Sequence, residues 1–270
     1  MKGTINKLRS TLGEQVDYYL PIGDESVHLN PFIGQSIQFQ FTGNIYCDAC
    51  GTKTKKSYSQ GHCFKCMKTL ARCDMCIMKP ETCHYDKGTC REPDWADTFC
   101  MTAHYVYLSN TSGVKVGITR ENQIPTRWID QGATQALPIM KVKSRFLSGL
   151  IEVELAKSIA DKTNWRAMLK GESVERDLQT IAKTLIESID VELDNLRAQF
   201  GEDAIDILSD DMVDIHYPVT QYPTKITSHN LDKNPVVGGV LQGIKGQYLL
   251  LDTGVINMRK FTSYEIEWQS

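Results

Sequence analysis

The sequence predicts an α+β protein in which a small β domain, formed by the two chain ends, carries an inserted zinc-binding region and an α/β sandwich. Three observations predict it. Apolar and polar residues alternate near both ends of the 270-residue chain, in Ser36-Ile37-Gln38-Phe39-Gln40-Phe41-Thr42-Gly43 and in Thr262-Ser263-Tyr264-Glu265-Ile266-Glu267-Trp268, which is the period of a half-buried strand. All nine cysteines lie between Cys47 and Cys100. Residues 104–118 read as a hairpin, and helical periodicity follows them. The expected division is 1–46, an N-terminal β segment; 47–101, the cysteine-rich region; 102–170, the α/β unit; 171–211, an acidic helical segment; and 212–270, a C-terminal β segment that pairs with the first.

A short β segment on its own is marginal in water, so the two ends are expected to pair into one barrel or sandwich. Within the C-terminal segment, 236–251 reads as strand, turn, strand. Residues 121–131 read as a short helix with Pro125 in its first turn, where the missing N–H does no harm. A strand is expected at 137–142 and a helix at 144–161. Residues 172–207 read as one or two acidic helices with Ile181, Leu185, Ile186, Ile189 and Leu193 as the buried stripe.

Lys and Arg number 30 against 33 Asp and Glu, and 41% of residues are hydrophobic, so the chain can bury a core and is not disordered by composition. A net charge of −3 excludes a generic polyanion binder. The charge is uneven, however: 101–145 carries +4 and 171–215 carries −10. The acidic stretch reads as a solvated helix face, and with the β ends it is the candidate surface for a protein partner. No run of about 18 apolar residues exists, so no membrane partner is expected. The first residues lack the apolar stretch of a secretory signal, and the expected location is the cytoplasm. In a reducing compartment, clustered cysteines bind metal more readily than they form disulfides.

Cys47-Asp48-Ala49-Cys50 is followed, after twelve intervening residues, by Cys63-Phe64-Lys65-Cys66. Each tight pair points two sulfurs at one ion, and the polar loop between them brings the pairs together, which is the arrangement a tetrahedral structural zinc needs. Cys73, Cys76, Cys83 and Cys90 form the expected second zinc site, with His84, Cys100 or His104 able to replace a ligand. Both sites are closed, so the metal would stabilise the fold and would not activate water.

In the hairpin, strand period sorts Val106, Leu108, Val114, Val116 and Ile118 onto an apolar face. The other face presents Tyr105, Tyr107, Lys115 and the backbone at Gly117, a candidate phosphate site. Tyr105-Val106-Tyr107, then Lys115-Val116-Gly117-Ile118-Thr119, then Arg127, resemble the GIY-YIG nuclease superfamily in its YVY and KVG variant. The resemblance covers about residues 102–170, including Leu150-Ile151-Glu152-Val153-Glu154-Leu155 where those domains carry a helix with an inward glutamate. The cysteine region, the β ends and Arg127-Trp128-Ile129-Asp130-Gln131-Gly132-Ala133 look like a bacterial cysteine-rich family of unknown function.

The resemblance implies a GIY-YIG-like sandwich and a set of roles. Tyr107 would help deprotonate an attacking water, and Arg127 would stabilise charge on the phosphate. Glu152, with Glu154 as the alternative, would hold one Mg²⁺ or Mn²⁺. Lys115 stands where the second motif has tyrosine, and Gln131 stands where many relatives have histidine. A lysine acts as a base only when nearby charge or burial lowers its pKa. Tyr105, Arg120 and Trp128 are the further nucleic-acid contacts, Trp128 as a stacking platform or as core, and Thr163-Asn164-Trp165-Arg166 is a candidate cleft lining. The expected function is phosphodiester hydrolysis in DNA or RNA. The alternative is a catalytically inactive nucleic-acid or ribonucleoprotein binding module of the same fold.

Overall fold

The computed structural model describes residues 1–159 and 164–270. The expected helix over 144–161 and the candidate lining at Thr163 therefore extend outside the described residues. The chain is a mixed α/β protein with antiparallel sheets and a cysteine cluster. The largest sheet runs in the order Lys2–Thr4, Tyr264–Gln269, Ser36–Tyr46, Val236–Lys245, Tyr248–Leu251, Gly254–Asn257, and Lys53–Thr54 also pairs with Ser36–Tyr46. Phe39 lies opposite Val237 on one side and Trp268 on the other, and its ring meets Trp268 edge-on at 5.0 Å. A small sheet of Arg9–Thr11, Asp17–Ile22 and Glu25–His28 closes over this core.

The middle sheet has the order Ile205–Ile207, Gln135–Val142, His104–Asn110, Val114–Arg120, with Val213–Asp214 also paired to Gln135–Val142. His104–Asn110 and Val114–Arg120 form a regular hairpin, with Tyr107 opposite Gly117. Period 2 gives the sheet two packed faces. Val106, Leu108, Val116 and Ile118 are buried with Leu147, Ile151, Leu155 and Leu185 from the helices. Tyr107 faces the other way, into the core shared with Trp128, Phe39 and Trp268. The strand Val114–Arg120 is the outermost of the sheet, so among the described residues one side of it has no strand partner.

Ser144 starts the helix Arg145–Ala156 by accepting a hydrogen bond from the Leu147 amide at 3.2 Å. The acidic region forms two helices, Leu178–Ser188 and Asp190–Phe200, with Asp177 as the first cap and Gly201, at φ +105°, after the last turn. Residues 121–131 are not one helix. A 3-10 turn, Glu121–Gln123, is separated from the helix Thr126–Asp130 by extended Ile124, the conformation that a following proline favours.

Beyond the strand Lys53–Thr54, the cysteine-rich segment holds only short helices, Phe64–Thr69 and Pro93–Phe99, and single 3-10 turns. It is seated on the helix Arg145–Ala156. A side chain at Gly149 would lie 2.5 Å from Pro80 Cβ, so glycine is what lets the turn Pro80–Thr82 approach the helix. Among the described residues, no helix is long and apolar enough to cross a membrane.

Candidate functional site

An open cleft of about 630 Å³ follows the free edge of Val114–Arg120. Lys115 and Gly117 come from that edge, Arg127 and Gln131 from the short helix and its end, and Arg145 and Glu152 from the helix Arg145–Ala156. The middle sheet thus sends one helix to each of its faces, and the two meet round its unpaired edge. Lys115, Arg127 and Glu152, drawn from three separate segments, are brought into one cavity.

Tyr107 lies just behind that cavity. It is fully buried, and its ring packs against Gly117 so closely that a Cβ there would sit 2.6 Å from Tyr107 Cζ. The phenol donates to Gln131 Oε1 at 3.0 Å, and the Arg127 guanidinium adjoins it. Burial pushes the Tyr107 pKa up to about 12, against the pull of the Arg127 charge. The phenol keeps its proton at neutral pH, and its contacts help to hold Arg127 and Gln131 in place.

The cleft is strongly cationic. Among the described residues, Arg72, Arg120, Arg127, Arg145, Arg259 and Lys115 line it with one carboxylate, Glu152. Arg145 is held by donating to the Ile77 carbonyl at 2.6 Å, and Arg259 by donating to Gln60 Oε1 at 2.8 Å. One wall is aromatic: Trp95 and Phe99 stack at 4.4 Å, with the Arg120 guanidinium 3.9 Å from the Phe99 ring centre. Sequence reasoning missed Arg72, Trp95, Phe99, Arg145 and Arg259. They sit on the cysteine region, on a helix first turn and near the chain end, and only the basic excess of 101–145 pointed toward any of them.

Other expected residues fall elsewhere. Glu154 is turned away and pairs with Lys157. Tyr105 lies near Lys141, at 6.0 Å, and not among the cleft lining. Trp128 is 2% exposed and packs edge-on to Tyr107, so it is core and presents no face on which a base could stack. Trp165 stacks on Tyr248 at 5.8 Å, outside the cleft lining, with Arg166 over it.

The thiols of Cys47, Cys50, Cys63 and Cys66 all lie within 4.8 Å of one another and could hold a metal ion such as zinc. Cys50 Sγ and Cys63 Sγ are 3.9 Å apart. A tetrahedron with metal–sulfur bonds near 2.3 Å has an edge of about 3.8 Å, close to the Cys50–Cys63 separation, so the donor set is of the size and chemistry that zinc takes. The Cys63 amide donates to Cys47 Sγ at 3.3 Å, which favours the Cys47 thiolate, and the Cys66 amide donates to Cys63 Sγ at 3.5 Å. Hydrogen bonds from Thr52 pull Cys50 down, whereas burial and the neighbouring thiols push Cys66 up. Among the expected ligands of a second site, Cys76 groups with Asp74 and His84 within 4.8 Å, and Cys73 instead receives a hydrogen bond from Ser59.

His104 is fully buried beside the cleft. Its Nδ1 faces the Thr102 carbonyl at 2.8 Å, and Nε2 has no hydrogen-bond partner among the described residues. Burial, helped by the charges of Arg145 and Arg120, holds its pKa down at about 4, against 6.5 ordinarily. The unfolded chain therefore binds a proton over that window while the folded chain does not, and stability falls as pH drops from 6.5 toward 4. At pH 5 this costs about 2 kcal/mol. Urea unfolding of the metal-loaded protein at pH 7 and pH 5 should show that extra loss in the wild type and its absence in His104→Gln. Equal losses in both would show that another group is responsible.

No curated protein and no solved structure matches this chain. The family described as "Protein of unknown function (DUF2797)" matches residues 34–266, a span that takes in every cleft residue named above and all nine cysteines, and the chain belongs to that family.

Proposed function

We propose that the cleft binds a nucleic-acid phosphodiester and hydrolyses it, in the manner of a GIY-YIG-like nuclease stabilised by zinc at Cys47, Cys50, Cys63 and Cys66. The observation that carries the reading is the convergence of Lys115, Arg127 and Glu152 on one open cavity backed by Tyr107 and Gly117. A pocket with six cationic side chains and one carboxylate concentrates polyanions. Arg127 and Arg145 are planar, permanently charged donors placed to neutralise charge developing on the non-bridging oxygens. Tyr107 and Gln131 orient Arg127, and Lys115 at the strand edge positions the phosphate; it takes the proton of the attacking water only as the neutral amine, the form that the surrounding guanidinium charges favour. A lone carboxylate fits Mg²⁺ or Mn²⁺ only as a site shared with substrate phosphate, and Glu152 would be its protein ligand. Bound there, the ion would polarise the phosphodiester and stabilise the leaving oxygen.

The test uses labelled single- and double-stranded DNA and RNA, with Mg²⁺, Mn²⁺ or chelator. Cleavage should require the ion and fall at least 100-fold in Arg127→Ala and in Glu152→Gln. A second reading is a binding module without chemistry, favoured by a cleft lining of six cationic side chains. It predicts salt-dependent binding, lost in Arg127→Ala, retained in Glu152→Gln, and no cleavage under any condition.

A further inference from the structure

The segment from Asp74 to His84 brings three different donors together. Asp74 begins the 3-10 turn Met75–Ile77 by accepting from the Met75 amide through Oδ1 at 2.6 Å, and Cys76 lies on that turn. The chain then returns through the turn Pro80–Thr82, after which His84 faces back toward Asp74. A carboxylate oxygen of Asp74, Cys76 Sγ and a ring nitrogen of His84 all lie within 4.8 Å of one another. Hydrogen bonds decide which ring nitrogen is available. The Thr89 hydroxyl gives its one proton to the His84 carbonyl at 3.3 Å, so toward Nδ1, 2.7 Å away, it can only accept, and Nδ1 carries the ring proton. The neutral ring therefore turns its Nε2 lone pair toward Asp74 Oδ2, 3.5 Å away, and that oxygen is itself an acceptor, from Arg91 Nε at 2.7 Å. Two acceptors that face each other need a cation between them. A proton on Nε2 would serve that pair alone; a third donor, the Cys76 thiol, is what a metal ion requires.

We infer that Asp74, Cys76 and His84 Nε2 hold a second metal ion, and that the ion is zinc. Zinc bonds of about 2.1 Å to nitrogen and oxygen give a tetrahedral edge of about 3.4 Å, close to the 3.5 Å between Nε2 and Oδ2. A thiolate, an imidazole and a carboxylate suit zinc and not the hard ions that prefer oxygen alone. Thr89 and Arg91 fix the imidazole and the carboxylate from outside. Of the cysteines expected at a second site, this assignment keeps Cys76 and leaves Cys73 to its hydrogen bond with Ser59. Three protein donors fill three tetrahedral positions, whereas the first cluster fills all four, so the second ion is held more weakly. It would brace the loop 74–84, whose Ile77, Met78 and Pro80 line the cleft and whose Ile77 carbonyl accepts from Arg145. The inference is independent of any nuclease activity.

The test is the metal content of the full chain, loaded with zinc and then dialysed against rising concentrations of a chelator. The wild type should hold two equivalents and lose one before the other. Cys76→Ser and His84→Gln should hold only the tightly bound ion, while Cys73→Ser, Cys83→Ser and Cys90→Ser keep both. Cobalt in place of zinc gives a second readout. The first equivalent of Co²⁺ should give the strong sulfur-to-metal absorption of four thiolates, and the second a weaker band from one thiolate, absent in His84→Gln. Should Cys76→Ser or His84→Gln fail to fold, the zinc count and cobalt titration of the wild type decide. One equivalent in the wild type would overturn the assignment and leave a proton between His84 and Asp74. Loss of an ion in Cys83→Ser or Cys90→Ser, or a second cobalt band as strong as the first, would overturn it in favour of a thiolate set.

Discussion

Stripping the metal from Cys47, Cys50, Cys63 and Cys66 should unfold the segment around them. Structural zinc contributes on the order of 10 kcal/mol to small sites of this type. The segment has little else: between Cys47 and Ala71 the buried side chains are the candidate ligands Cys47 and Cys66, with His62 and Ala71. The damage should not stay local. Gly61 packs against Ser263, where a Cβ would come within 2.5 Å of the hydroxyl, and Gln60 accepts the two hydrogen bonds that hold Arg259 in the cleft. Chelator treatment, or Cys50→Ser, should therefore expose residues 47–70 to protease, lower Tm by more than 10 °C and release Arg259. An unchanged melting curve and digestion pattern after complete metal removal would refute the claim that the ion holds this region.

Gly117→Val should be among the most destabilising substitutions on the middle sheet, and Gly117→Ala should cost about 3 kcal/mol. A Cβ at this position meets Tyr107 Cζ at 2.6 Å, the hydroxyl oxygen at 2.7 Å and Cε2 at 3.0 Å. The ring has nowhere to go. It is fully buried, packs edge-on to Trp128 at 6.0 Å and is anchored by its bond to Gln131. Relief must come from displacing the edge strand, which would carry Lys115 away from Arg127. Combining Gly117→Ala with Tyr107→Leu should therefore cost less than the two single changes added, by at least about 1 kcal/mol, because the second removes what the first collides with. Strict additivity in urea unfolding, or a Gly117→Ala variant as stable as wild type, would show that the contact relaxes freely.

That collision also explains why the hairpin was readable. Period 2 sorts Val106, Leu108, Val116 and Ile118 from Tyr107 and Gly117 with no knowledge of the partners, and the four-cysteine spacing needs only a short turn to place two sulfurs. Other features depend on direction, which spacing does not contain. Glu152 and Glu154 are two apart on a helix and so lie about 200° round its axis. Only the packing of Leu147, Ile151 and Leu155 decides which of them meets the cleft, and it turns Glu154 to Lys157. Cys73 and Cys76 look equivalent in a Cys-x-x-Cys pair, yet one faces Ser59 and the other His84. Arg72, Arg145 and Arg259 converge from segments nearly two hundred residues apart, and no local pattern marks them. Trp128 shows the same limit: the sequence left it as core or as a stacking platform, and its burial decides for core.

The largest sheet has one further consequence, for the order in which the chain can fold as it leaves the ribosome. Lys2–Thr4 bonds to Tyr264–Gln269, and Ser36–Tyr46 is flanked by that strand and by Val236–Lys245. The earliest strands synthesised must wait, edges bare, for the latest, whereas the hairpin and the cysteine loops find their partners close in sequence. A nascent chain should therefore bind metal and form the middle sheet first, and should be most prone to aggregation while Ser36–Tyr46 is still unpaired.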